Sequence, residues 1–183
     1  TKYTFDSSSM QKLDIQDGNI ISFTAPEADS DYNPDDETNA GKWMVISYWM
    51  RGTGQSFSGL GGIEYTDPKS YVVDHFSKTG TQAFIDYWKE NILTDDIVAL
   101  LNEVGGSIFE DSLEVSGDIM WTDEFLSYFQ EHRGYDLVPY LPVLYGEVQG
   151  DEDLVTRVTA DYQQTLNDMY IENHLNPIKK FAN

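Results

Sequence analysis

Gly106-Ser107-Ile108-Phe109-Glu110-Asp111-Ser112-Leu113-Glu114-Val115 sets a short apolar run against three carboxylates and a hydroxyl. Ser107, Ile108 and Phe109 read as a buried strand, and Glu110, Asp111, Ser112 and Glu114 crowd its C-terminal end. In parallel α/β folds that end carries the chemistry, because the loops there are held by a rigid scaffold and face the ligand. A strand running out into acids is a candidate active-site edge.

Upstream, Asp95 to Val104 is a helical stretch that leads directly into this strand. Before it, Val73, Phe76, Phe84, Tyr87 and Trp88 recur at helical spacing between Val72 and Leu93, with Gly80 weakening the middle. Asp74 and His75 near its start suit ligation, although an Asp at a helix N-terminus is favoured by the dipole alone. Lys42 to Met50 is apolar enough for a strand buried on both faces, and it leaves through Arg51-Gly-Thr-Gly. Arg51 could hold a ligand oxygen or an internal carboxylate, and neither phosphate-binding glycine fingerprint is present. Ile15, a turn at Gly18, then Ile20, Ile21 and Phe23 suggest a strand pair. The acidic loop Asp29 to Glu37 opens like a calcium loop, but Pro34 replaces the sixth-position glycine and Ala40 the bidentate glutamate. A solvated loop is the default reading there.

Downstream, Thr122 is placed as an N-cap with Asp123 and Glu124 in the first turn. Trp121 and Leu126 are spaced for a hydrophobic staple, Phe125, Tyr128 and Phe129 form the buried stripe, and Gly134 closes the helix. Trp121 also suits a sugar-stacking platform, since the CH faces of a pyranose match an indole. Pro139 and Pro142 punctuate the next segment. Asp151 then opens a long helical pattern through Leu154, Val158, Tyr162, Leu166, Met169 and Tyr170, which Pro177 should end or kink.

These elements give an α/β expectation: two or three β/α units of a (β/α)8 barrel, or a small open sheet, since a whole barrel needs about 250 residues. Residues 1–41 would hold a short N-terminal β element with the acidic loop, and residues 42–183 the β/α units of either arrangement. The chain has 183 residues, 40% hydrophobic and 14% aromatic, enough for a packed core. It starts without a Met and without a signal-peptide pattern, as expected of a processed chain or an excised piece. No apolar run reaches the ~18 residues of a membrane span.

Thirty-two acidic against 11 basic residues give a formal charge of -21, which repels phosphate backbones and anionic lipid. Nucleic acid and membrane are thus poor partners. Without cysteine there is no disulfide, thiolate nucleophile or Cys-ligated zinc, and His75, His132 and His174 lie far apart in sequence. The chemistry falls to carboxylates. Glu110, Asp111 and Glu114 could act as general acid, base or orienting groups, and glycoside hydrolysis needs two such groups. The plainer alternative is that these acids cap loops and helix starts.

Asp111-Ser112-Leu113-Glu114, Trp121-Thr122, Arg133-Gly134-Tyr135-Asp136, Pro139-Tyr140-Leu141-Pro142 and Asp161-Tyr162 with Thr165-Leu166 form an ordered set. Together with Arg51-Gly52-Thr53-Gly54-Gln55 and Val73-Asp74, it resembles the catalytic domain of glycoside hydrolase family 106, the α-L-rhamnosidases. The resemblance covers most of residues 42–180. It implies a secreted or surface bacterial enzyme that removes terminal L-rhamnose from plant polysaccharides or glycosides, with inversion, on a β/α barrel. It further implies Glu114 as the general acid, Asp111 as a group orienting sugar or acid, and calcium as a possible aid to substrate binding. The family's base glutamate falls beyond Asn183, so the chain would act only with the remainder of the barrel. Along a straight strand Asp111 opposes Glu110, Ser112 and Glu114, so Asp111 and Glu114 converge only if the strand ends near Asp111. The rival expectation is a non-catalytic carbohydrate-binding or surface-adhesion domain.

Overall fold

The computed structural model describes residues 3–4, 10–15, 20–22, 45–56, 66–146, 148–149 and 151–183, and these are dominated by helices. In chain order the elements are β1 (Tyr3–Thr4), α1 (Lys78–Asn91), α2 (Asp95–Val104), α3 (Phe125–Arg133), a 3-10 turn at Val138–Tyr140, α4 (Leu141–Leu144), β2 (Val148–Gln149), α5 (Glu152–Tyr170), a π-helical turn at Ile171–Leu175 and α6 (Asn176–Ala182). The chain forms two compact units, one of Ser8–Trp49 and one of Thr1–Ser7 with Met50–Asn183. The calcium-like loop Asp29 to Glu37 lies outside the described residues.

The expected α/β barrel fragment is not what forms. Among the described residues the ladders are a two-residue parallel pair, Tyr3 with Val148 and Thr4 with Gln149, and one isolated antiparallel bridge between Ser56 and Tyr71. The runs at 45–50 and 107–109, read as buried strands, carry no ladder, and Trp49 and Phe109 are 86% and 83% exposed. A strand fulfils its backbone hydrogen bonds only through neighbours, whereas a helix fulfils them within itself. Apolar content alone therefore did not make these runs strands. In the strand-pair segment, Ile15, Ile20 and Ile21 are exposed, while Gly18 and Phe23 lie outside the described residues.

Helix boundaries follow local chemistry. The Asp74 carboxylate accepts from Phe76 N–H at 2.9 Å, and Ser77 Oγ, the N-cap of α1, accepts from Gly80 N–H at 2.9 Å. This turn delays α1 to Lys78, six residues after the start expected from apolar spacing. Gly80, read as a weak point, is required: a Cβ there would stand 2.2 Å from the Asp74 carbonyl oxygen. α2 matches its expected bounds, opening on Asp95 and Asp96 and closing at Gly105, with φ +79°. None of its residues is buried.

Thr122 is not the N-cap of α3. The helix starts three residues later, and the Thr122 carbonyl accepts from Phe125 N–H at 3.1 Å. Gly134, left-handed at φ +82°, closes α3 as its position foretold. Asp151 caps α5 by accepting from Asp153 N–H at 3.0 Å. Pro177 neither ends nor breaks the long helix: it sits in the first turn of α6, where an N–H is dispensable. The adjustment comes just before it, where Asn176 N–H reaches back five residues to the Ile171 carbonyl.

The helical run from α5 through α6 is the spine of the larger unit. α3 and α4 pack on α5, burying Phe125, Phe129, Leu141, Val143, Val158, Tyr162 and Met169. α1 packs on the π turn and α6, burying Phe76, Ile85 and Ile178. Arg133 ties α3 to α5 through Thr165 Oγ1, at 3.0 Å, and the Asp168 carboxylate. Among the described residues no helix is long and apolar enough to cross a membrane.

Candidate active site

A cleft of about 680 Å³ lies between the end of the spine, α1, and the non-helical segment 107–115. That size is within the ordinary range of small-molecule sites. Glu110, Ser112 and Glu114 line it, and Asp111, exposed, does not. The two glutamates on the cleft each stand two positions from Ser112, one on either side, the arrangement that alternating side chains give.

Gln55 fixes the Glu114 backbone. Its side-chain amide donates to the Glu114 carbonyl at 2.7 Å and accepts from Ser116 N–H at 2.7 Å and Ser116 Oγ at 3.0 Å. The Gln55 carbonyl meanwhile accepts from Val72 N–H at 2.9 Å. One residue thus ties three chain segments, and its amide imitates a strand partner for the acid-bearing loop.

Glu110 is held differently. Its Oε1 accepts from the Tyr170 hydroxyl at 2.5 Å and faces His174 Nε2 at 3.1 Å. His174 is 4% exposed, and its Nδ1 lies 2.8 Å from Thr81 Oγ1. His75 packs against the His174 ring with centroids 4.5 Å apart. Burial pushes the Tyr170 phenol up to about 12, with the hydrogen bond to Glu110 and its charge adding, so the proton stays on Tyr170. Burial also lowers the His174 pKa and the charge of His75 adds to this, while Glu110 pulls the other way. His174 is therefore neutral near pH 7.

Phe84 and Trp88 of α1, rings 5.6 Å apart, form an apolar wall of the cleft. Stacking surface is thus present, but not from Trp121, whose ring packs on Phe125 with centroids 4.5 Å apart. Trp121 and Arg51 are not part of the lining, and Arg51 is exposed. Asp74 serves the turn before α1, whereas His75 lines the cleft. His174 and Tyr170 carried no site signal by themselves, and Gln55 stood out only as the end of the Arg51–Gln55 stretch of the resemblance. The spacing of Tyr170 and His174, four residues apart on one helical face, was the cue available. Among the described residues no group of three or more His, Asp or Glu side chains stands close enough to hold a metal ion.

The family model described as alpha-L-rhamnosidase, of the glycoside hydrolase 106 type, matches residues 2–183. A protein of Formosa agariphila named "Putative beta-glucuronidase" is 27% identical over 136 residues, which is 73% of this chain and 11% of that protein. The chain thus spans about a ninth of the length of the curated relative it matches. No solved structure matches.

Proposed function

Because the chain belongs to glycoside hydrolase family 106, we propose that it is the acid-bearing part of an inverting α-L-rhamnosidase. The observation that carries this is the position of Glu114 on the wall of a sugar-sized cleft, with its backbone pinned by Gln55 and an aromatic wall in the same cleft. In this reading the apolar face of a terminal rhamnose lies on Phe84 and Trp88, as CH groups do on aromatic rings. Glu114 gives its proton to the glycosidic oxygen as the bond to the anomeric carbon breaks. A water, activated by a carboxylate elsewhere in a longer polypeptide, attacks the opposite face. Asp111 keeps the role of orienting sugar or acid from beside the cleft. The substrate is a plant polysaccharide or glycoside, which places the enzyme outside the cell or at its surface. By itself the chain lacks the base and should not turn over.

The test is hydrolysis of a rhamnose-terminated oligosaccharide by the full polypeptide that carries this chain, native against Glu114→Gln. An unactivated leaving group makes the rate depend on the acid, so the variant should lose ~10²-fold or more in kcat with binding kept. Equal rates remove Glu114 from the chemistry. Saccharide binding without hydrolysis by the native protein would instead favour a binding module.

A further inference from the structure

We propose that Glu110 is a second ligand-binding carboxylate of the cleft, taking a hydrogen bond from a sugar hydroxyl on Oε2, and that His174 is the residue positioning it. The inference rests on the reading of the cleft as a saccharide site, and it deepens that reading.

Glu110 is a lining residue with its side chain 29% exposed, so it remains reachable from the cleft. Both of its donors, the Tyr170 hydroxyl and His174 Nε2, converge on a single oxygen, Oε1. Among the described residues no donor bonds Oε2. A carboxylate with one oxygen clamped and the other open is an oriented acceptor. A ligand rich in hydroxyl groups supplies the donor that such an oxygen lacks.

The clamp has a defined proton arrangement. A carboxylate can only accept, so Nε2 of the neutral His174 carries the ring proton, and Nδ1 is left to accept from the Thr81 hydroxyl. Thr81 is 1% exposed, so this hydroxyl has no competing water. Asn173, next to His174 and equally buried, donates to the Phe76 carbonyl at 2.8 Å and fixes the π turn against the start of α1. The Tyr170 ring stacks on His174 at 5.4 Å between centroids. Glu110 is thus gripped by two side chains from one face of the spine, of which His174 is itself held by Thr81 of α1. Among the described residues Glu114, in the same cleft, receives no such clamp on its side chain, and its carbonyl is held by Gln55.

The experiment uses the full polypeptide in a Glu114→Gln background, which slows turnover ~10²-fold or more, and reads binding of a rhamnose-terminated oligosaccharide by calorimetry. Glu110→Gln preserves size and still accepts on Oε1, but it places an NH2 where the sugar hydroxyl must donate. Its affinity should fall about tenfold, the scale of one lost charged hydrogen bond. Among monodeoxy rhamnosides, one should bind both proteins equally, which identifies the hydroxyl. Thr81→Val removes the donor to Nδ1 without changing shape. Ring nitrogen NMR should report Nε2–H for His174 in the native chain at neutral pH and a mixed tautomer in Thr81→Val. Unchanged affinity in Glu110→Gln, with the parent protein binding well, overturns this inference and leaves the acid assignment of Glu114 untouched. A native Nδ1–H or charged His174 overturns the positioning role. No binding by any version overturns both the saccharide reading and this one.

Discussion

Gly80 and His174 illustrate how single residues set this structure. Gly80→Ala should gain up to ~1 kcal/mol of helix propensity. The added Cβ would nevertheless meet the Asp74 carbonyl at 2.2 Å, and a backbone atom cannot step aside cheaply. The net effect should be destabilisation of about 1–3 kcal/mol, seen as a lower denaturant midpoint. A stability gain would mean that the Asp74 turn is dispensable. For His174 the sign follows from its lowered pKa: the native ring stays neutral while an unfolded one takes up a proton near pH 6.5. The contribution of the neutral ring is complete above that pH and is lost as pH falls below it. Denaturation of native and His174→Gln chains from pH 8 to 5 should show their stability difference shifting against the native chain at the acid end. Parallel curves would reject this account.

At the scale of elements, what the sequence made legible was what is encoded locally. The bounds of α2 came from Asp95, Asp96 and a glycine just past its end, and α5 opened at Asp151 as its pattern required. Gly134 closed α3 for the same reason. The strands were misread because pairing is decided by distant partners, and Ile108 and Phe109 contain no information about whether a neighbour is present. The site was legible in part. Glu110 and Glu114 stood out as clustered acids, but the clamp on Glu110 joins residues 60 and more positions apart, beyond any periodicity. Trp121 suits a stacking platform and a packing role alike because indoles serve both purposes, and its ring packs on Phe125 outside the cleft lining. Phe125, wholly buried between α3 and α5, should be the most sensitive apolar position: Phe125→Ala is expected to cost about 3–5 kcal/mol by calorimetry or denaturant titration.

Taken as a whole, the molecule bears a formal charge of -21, and its self-repulsion weakens the compact state. Raising salt from about 0.01 to 0.15 M shortens the screening length from ~30 to ~8 Å, so the melting temperature should rise. A fall would mean that local ion pairs outweigh the net field. At the alkaline end, burial pushes Tyr162 and Tyr170 up to about 12, and Tyr135 is raised as well by burial and by its bond to Asp161. Unfolded tyrosines ionise near pH 10, so this stability is complete below that pH and is lost as pH rises toward 12. The part of the phenolate absorbance that belongs to these three tyrosines should therefore appear together with loss of helix by circular dichroism, not before it.

The wide turn at Ile171–Leu175 acts as a phase shifter. A regular helix advances its apolar stripe at one steady angle per residue, so it serves a single neighbour along its length. Here the beat is broken once, between the part that faces α3 and α4 and the part that faces α1. One continuous rod can thus answer two separate cores, and the slip between their rhythms falls where Asn173 and His174 turn inward together. Deleting a single residue from that turn would bring both halves back into step and leave one of the two cores out of tune.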